Sequence, residues 1–194
     1  MESHKERSDQ DIYEGYLRRL DLNEEYLKGK KILDLGCWKG SFVRTCLDQG
    51  IVQEVYGMDR ELQGEALSEK YAGHFFDGDI RIEMPVTNVD LAVIKAALHM
   101  LLGESGIEET AKFLSKVLDV LSQSGEVRIG PITQKLIGKY PDDQREIVQM
   151  LEILSQNRNI KYEFIPVDIS AWERKDTKER VVVFDTVLII RNDE

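Results

Sequence analysis

The sequence predicts an α/β fold with a mostly parallel sheet, and three features predict it. Short apolar segments alternate with amphipathic ones from Lys31 to Leu154, the order that builds a parallel sheet with helices on its faces. Val89 to Ile94 is a nearly continuous apolar run, as expected of a central strand covered on both sides. Two β-rich segments, Ile160 to Phe164 and Val181 to Ile190, close the chain with only a charged loop between them. They are expected to pair as an antiparallel hairpin, because a parallel pair would need a longer crossover.

At 194 residues the chain is expected to form one domain, residues 1–194, with a substantial core. A net charge of −10 argues against broad binding to nucleic acid backbones. No apolar run approaches the length of a membrane span, so no membrane partner is expected. Met1 to Arg7 reads as a frayed, charged tail without the apolar centre of a secretory signal. Cys37 and Cys46 are too few for a disulfide framework and read as packing residues in a reducing compartment. A cytoplasmic location is the expectation.

The elements follow in order. From Ser8, residues Ile12, Tyr13, Tyr16, Leu17 and Leu20 fall at helical spacing, and Asn23-Glu24-Glu25 opens a short turn ended near Gly29. Residues 8–29 are therefore a helical segment, packed over the sheet or over the rim of a site. Lys31 to Leu35 is the first strand. Phe42, Val43, Cys46 and Leu47 stripe a helix that Gly50 stops. Val52 to Met58 is a strand, Leu62 to Tyr71 a weaker helix, and His74 to Phe76 a short strand leading to Asp77-Gly78-Asp79. Ser105 and Glu108 read as a capping box for a helix carrying Ile107, Ala111, Leu114, Leu118 and Leu121 on one face. Ser124-Gly125 turns into a strand from Glu126 to Ile129. Pro141-Asp142-Asp143 opens the last helix, with Ile147, Met150, Leu151 and Leu154 inward. The terminal strands alternate or are rich in β-branched residues.

The chemistry gathers where this fold binds ligands, outside the carboxyl ends of the strands. The strand–turn–helix around Gly36 to Gly40 turns backbone N–H groups and the positive end of a helix toward that space. Asp59 ends the second strand about 20 residues after Gly36, where a dinucleotide-type fold holds ribose hydroxyls. One carboxylate accepts two hydroxyl hydrogen bonds at once. Taken alone, Asp59 reads first as a solvated acid at a strand end. His4, His74 and His99 are isolated, with no ligand-like spacing, so no metal site is expected.

Taken in sequence, these residues resemble the class I S-adenosylmethionine-dependent methyltransferases. Ile32-Leu33-Asp34-Leu35-Gly36 followed by Gly40 is similar to the first motif of that family, and Tyr56-Gly57-Met58-Asp59 to the second. Gly78-Asp79 through Met84-Pro85 resembles the third, and Asp90-Leu91-Ala92-Val93 through Leu98-His99-Met100-Leu101 the fourth. Val117-Leu118-Asp119-Val120-Leu121 to Gly125-Glu126 resembles the helix and turn before the fifth strand. The resemblance implies a Rossmann-like three-layer sandwich with a seven-stranded sheet and an antiparallel C-terminal hairpin strand. It implies S-adenosyl-L-methionine as cofactor and S-adenosyl-L-homocysteine as product. Gly36 and Cys37 would meet the methionine portion of the donor, with Asp34 nearby. Asp59 would take the ribose hydroxyls, Asp79 with the backbone of Ile80 the adenine amino group, and Lys95 with Ala96 would lie under the sulfonium.

Three departures bear on this reading. Trp38 stands where the family usually has glycine or a small residue, so it either turns outward or walls the pocket. Lys95 puts a positive charge beside a sulfonium, which is unfavourable in a poorly solvated pocket. Pairing with Asp34 or solvation is expected ahead of contact with an anionic substrate. The Asn/Asp-Pro-Pro-aromatic motif of enzymes that methylate nucleic acid amines is absent at Ile94-Lys95-Ala96-Ala97, which disfavours that substrate class. His99, one helical turn beyond Lys95, is the best-placed general base; the plainer reading is a structural imidazole bonded to backbone. The acceptor pocket is expected from Leu101 to Glu104, Pro131 to Tyr140 and Ala171 to Arg180, with Trp172 and Arg174 as candidate contacts.

The sequence thus points to methyl transfer onto an O or N of a small-molecule or protein acceptor. The alternative is a catalytically degenerate domain that binds the donor or its product in a regulatory or partner-binding role. A nicotinamide-dependent oxidoreductase is disfavoured, because no Gly-x-Gly-x-x-Gly is present.

Overall fold

A computed structural model describes residues 7–135, 142–173 and 180–193. Seven strands form one sheet: β1 (Lys31–Leu35), β2 (Glu54–Asp59), β3 (Phe75–Asp77), β4 (Val89–Lys95), β5 (Leu121–Lys135), β6 (Ile160–Glu173) and β7 (Arg180–Asn192). Their order is β3-β2-β1-β4-β5-β7-β6. The first five strands pair in parallel, and β7 lies antiparallel to both β5 and β6. This is the Rossmann-like architecture expected, with the terminal hairpin in place. After β1 the chain moves outward to β2 and β3, then returns to place β4 on the other side of β1. The crevice between the loops after β1 and β4 is therefore the topological switch point.

Alternation along the strands sorts two layers. Leu33, Leu35, Ala92, Ile94, Val127 and Ile129 pack under α4 (Leu98–Asp119) and α5 (Asp142–Asn157). Ile32, Leu91 and Val93 pack under α1 (Asp9–Arg19), α2 (Glu24–Leu27) and α3 (Ser41–Gln49). Ser8 caps α1 and exchanges hydrogen bonds with Asp11 in a capping box. On the inner side of α1, Tyr16 stacks on Phe42 of α3 at 4.5 Å between ring centroids. Cys37 and Cys46 are buried free thiols.

The second layer also carries polar residues in strand positions facing it. Glu126 is buried and accepts from Tyr26 Oη at 2.6 Å, Arg128 Nε at 2.5 Å and Arg191 Nε at 2.7 Å. Arg128 donates onward to the carbonyls of Leu20 and Asp21. Together these bonds tie the N-terminal helical segment to the sheet.

Three expectations change. Leu62 to Tyr71 forms two 3₁₀ turns, Gly64–Leu67 and Glu69–Tyr71, in which only Ala66 and Tyr71 are buried. Two buried residues are too few to anchor an amphipathic helix. Ser124-Gly125 is not a turn before β5 but an irregularity inside it, where the pairing with β4 shifts between Val89 and Leu91. Gly125 is needed there because a Cβ would lie 2.6 Å from the Val89 carbonyl. Finally, α4 starts at Leu98 and is broken at Gly106, whose φ is 78° and ψ 175°. Ser105 lies at this break, immediately before Gly106, and its hydroxyl accepts from Arg81 Nη1. Pro141 lies outside the described residues.

Candidate functional site

Each strand that ends at the crevice contributes a local device. β1 ends in Gly36 with φ +83°, which lets the chain turn sharply; its N–H and that of Cys37 donate to the Met58 carbonyl of β2. A Cβ on Gly36 would press on Ala97 Cβ at 3.3 Å, so the turn is a narrow cradle only glycine leaves open. Gly40 is buried at the start of α3, and a Cβ there would run into the Phe75 ring. It packs closely against Phe75 and Ala66.

Trp38 takes φ +49°, and the indole is 50% exposed, turned outward beneath Lys39 Nζ at 4.8 Å. Its backbone N–H donates to Asp59 Oδ2 at 2.8 Å, while Glu61 N–H donates to Oδ1 at 2.8 Å. A carboxylate offers about four lone-pair sites, so each Asp59 oxygen keeps one for a ligand. Gly36, Cys37, Trp38, Asp59, Lys95 and Ala96 all line one cleft of about 1070 Å³. The residues singled out at the first, second and fourth strands thus converge.

Asp34 lies beneath that cleft, fully buried. Its only side-chain donor among the described residues is Tyr16 Oη, at 3.1 Å from Oδ2 and 3.4 Å from Oδ1. Burial pushes its carboxyl up to about 7, against the pull of the Tyr16 hydroxyl and of Lys95. Of the two options expected for Lys95, pairing with Asp34 or solvation, the ion pair does not form. Its ammonium sits over the Tyr16 ring, 4.4 Å from the centroid, without a carboxylate partner among the described residues. Burial holds its pKa below the ordinary lysine value, Asp34 opposes that, and Arg19 and Arg7 add to it. Tyr16 is thus a site residue that the sequence presented only as part of a helix stripe; no local signal sets its hydroxyl apart.

Beyond the cleft, Asp79, Ile80, Gly36 and Asp59 line a smaller hollow of about 80 Å³. Here the arrangement departs from the sequence reading. Arg81 Nε and Nη2 and the Arg81 backbone N–H all donate to the Asp79 carboxylate. Those bonds hold its carboxyl at about 2. Arg60 forms a two-pronged pair with Glu104 at 2.9 and 3.1 Å, closing over the hollow from the β2 side to α4. These charges read as solvated in the sequence, because their pairing joins segments far apart in the chain.

The segment Leu98–Ser105 also divides differently from expectation. Leu101 and Glu104 face the hollow, whereas His99, Leu102 and Gly103 line a separate cavity of about 420 Å³ between β4, β5, α4 and α5. His99 is exposed and makes no hydrogen bond among the described residues, so the backbone-bonded imidazole is not what forms. Tyr140 and Arg174 lie outside the described residues, and Trp172 stands in β6 opposite Val181. No group of three or more His, Cys, Asp or Glu suited to a metal occurs among the described residues.

The comparisons bear on the whole arrangement. A profile of the family described as "Methyltransferase domain" matches residues 33–129, half of the chain, including Gly36, Asp59 and Lys95 of the cleft. No curated protein sequence matches significantly. Among solved structures, the chain is similar to a TehB-like SAM-dependent methyltransferase from Corynebacterium glutamicum, at 17% identity and TM-score 0.51, covering 98% of this chain and 91% of that one. It is similar to an S-adenosylmethionine-dependent methyltransferase from Clostridium acetobutylicum at 13% identity and TM-score 0.55, covering 96% and 91%. The small RNA methyltransferase HEN1 matches at 18% identity and TM-score 0.57, covering 100% of this chain but 26% of that one. At these identities the likeness is one of fold.

Proposed function

The chain belongs to the class I S-adenosylmethionine-dependent methyltransferases, and from that premise we propose that it transfers a methyl group from S-adenosylmethionine to an oxygen or nitrogen of a small-molecule or protein acceptor. The observation that carries this reading is the convergence of the Gly36 cradle, the two open lone-pair sites of Asp59 and the Lys95-Ala96 strand end on one cleft. When bound, the donor supplies a methyl carbon already activated by a positive sulfur.

The chain's own residues align and shield. The backbone at Gly36 and Cys37 would receive the amino-acid portion, and Asp59 the ribose hydroxyls. Asp34 would add negative potential beneath a cationic ligand, which counts for more in a buried setting than in water. Trp38, turned outward, leaves the turn open and can shield the cleft from solvent. Asp79 and Ile80 would meet the adenine end once Arg81 and Glu104 swing aside. His99 stands at the rim of the neighbouring cavity, where a base is useful if the acceptor must lose a proton.

One observation favours the degenerate-domain alternative: Lys95 lines the cleft with its ammonium over the Tyr16 ring, a like charge beside the sulfonium. Calorimetry with S-adenosylmethionine, S-adenosylhomocysteine and NAD separates the readings. Binding of the first two is expected, and binding of NAD alone would overturn the proposal. Donor binding with no methyl transfer to a broad panel of acceptors would favour the degenerate domain. Asp59→Ala should weaken donor binding by more than about tenfold through loss of the ribose hydrogen bonds; unchanged affinity would show that Asp59 does not hold the ribose.

A further inference from the structure

We infer that the 420 Å³ cavity between β4, β5, α4 and α5 is the acceptor pocket, and that it selects a compact, largely apolar small molecule presenting its nucleophilic atom at Ala96. The inference rests on the methyltransferase reading and names the substrate class for it.

The cavity and the donor cleft have a single lining residue in common, Ala96. Its φ of +60° and its hydrogen bond to the Gly130 carbonyl at 2.9 Å fix the strand end as a partition between the two spaces. The helical segment after it separates them further. Leu98 and Leu102, at i and i+4, turn one face to the cavity, while Met100 and Glu104 turn the other to the donor side. Two ligands on opposite faces of one helical turn can meet only where that turn begins, at Ala96.

The walls state what fits. Ile94, Leu98, Leu102, Ile129, Ile132 and Ile147 are all buried and apolar. The volume lies within the range of about 300–1,000 Å³ usual for small-molecule sites. No Lys or Arg lines the cavity among the described residues, whereas the donor cleft carries Arg7, Lys39, Arg44 and Lys95. A phosphate or carboxylate would lose its hydration here and gain no cation in return. The polar side chains at the cavity are His99 and Glu146, both able to receive a proton, and the Glu146 carboxylate would repel an anion. A phenol, an aryl or alkyl amine, or a branched alcohol satisfies these walls. In transfer, the acceptor O or N forms the bond to the methyl carbon and the carbon–sulfur bond breaks with its electron pair left on sulfur. The acceptor's proton leaves to His99.

The test uses the full chain saturated with S-adenosylhomocysteine and titrated with 2-naphthol, indole and 2-naphthyl phosphate. Both neutral probes should bind, with the phosphate at least tenfold weaker than 2-naphthol. Leu102→Trp should weaken both neutral probes at least tenfold and leave S-adenosylhomocysteine affinity unchanged. Gly103→Phe is the second variant: a Cβ at Gly103 meets nothing within 4 Å, so the fold accepts it while the ring fills the cavity mouth. Absence of binding by either neutral probe, preference for the phosphate, or full binding to Gly103→Phe would overturn the inference. Failure of the wild-type chain to bind S-adenosylhomocysteine at all would instead overturn the methyltransferase reading on which it rests.

Discussion

Asp34 and Glu126 are both buried acids, both on strands and both facing the N-terminal helices, yet the fold treats them oppositely. Burial alone would raise the Glu126 carboxyl, but hydrogen bonds from Tyr26, Arg128 and Arg191 together hold it below its ordinary value. Asp34 has one hydroxyl, and Lys95, near enough to be felt, stops short of an ion pair; burial wins, and the carboxyl rises to about 7. The difference is one of compensation. Glu126 is surrounded by donors that belong to the chain, so it is a joint between segments. Asp34 is left short of them beside the cleft, and on the function proposed above a cationic ligand would supply the missing partner.

The largest effect tests the compensated side. Glu126→Ala leaves the buried Arg128 guanidinium with only the more distant, exposed Asp21 carboxylate at 3.8 Å and should cost about 3–5 kcal/mol of folding stability. Denaturant unfolding measures it. If the two acids have separate duties, S-adenosylhomocysteine affinity of the folded variant stays at the wild-type value; a matching loss of affinity would break the comparison.

Asp34→Asn tests the other side, and its sign is opposite. An acid raised from 3.8 to about 7 in the fold binds more protons folded than unfolded across that window. Its contribution is best at acid pH, declines as pH rises from about 4 to about 7, and is fully unfavourable above that. Asn carries no charge to bury, so at pH 8 the variant should be more stable than wild type by up to about 4 kcal/mol, with the gain vanishing toward pH 4. Thermal melts across pH measure it. The same variant should bind S-adenosylmethionine more weakly, since stability at such a site trades against function. A gain in stability with no loss of binding would make Asp34 merely an awkward core residue.

This division also explains what the sequence disclosed. The Gly36 turn, the β1 strand and Asp59 were legible because their signals are local: a glycine that must turn, an apolar run, an acid at a strand end. Tyr16 was hidden because a tyrosine on a helix stripe looks the same whether its hydroxyl meets water or a buried carboxylate. Arg60, Arg81 and Glu104 were hidden because ion pairing between distant segments leaves no pattern in either. The assignment of Leu101 to Glu104 to one pocket failed on helical phase, since successive residues about 100° apart serve two different cavities. Gly125 was misplaced as a turn because glycine answers both a turn and a close approach of strands, and only the Val89 carbonyl decides between them.

The smallest effect extends the comparison to an acid that is paired but exposed. Glu104 meets Arg60 in a two-pronged pair with both side chains more than 40% accessible, and exposed pairs are screened by water. Glu104→Gln should therefore leave the melting temperature unchanged, unlike Glu126→Ala. It should still act on binding, because the clasp lies across the hollow proposed for the adenine end and would have to part first. Removing a competing closed state raises apparent affinity by the fraction of time that state is occupied. For a pair of this kind, a gain of about two- to fivefold in S-adenosylhomocysteine affinity is expected, read by calorimetry. A fall in affinity would mean that Glu104 holds the ligand and does not bar it, which would move it from the exposed pairs to the acids that, like Asp34, await a partner.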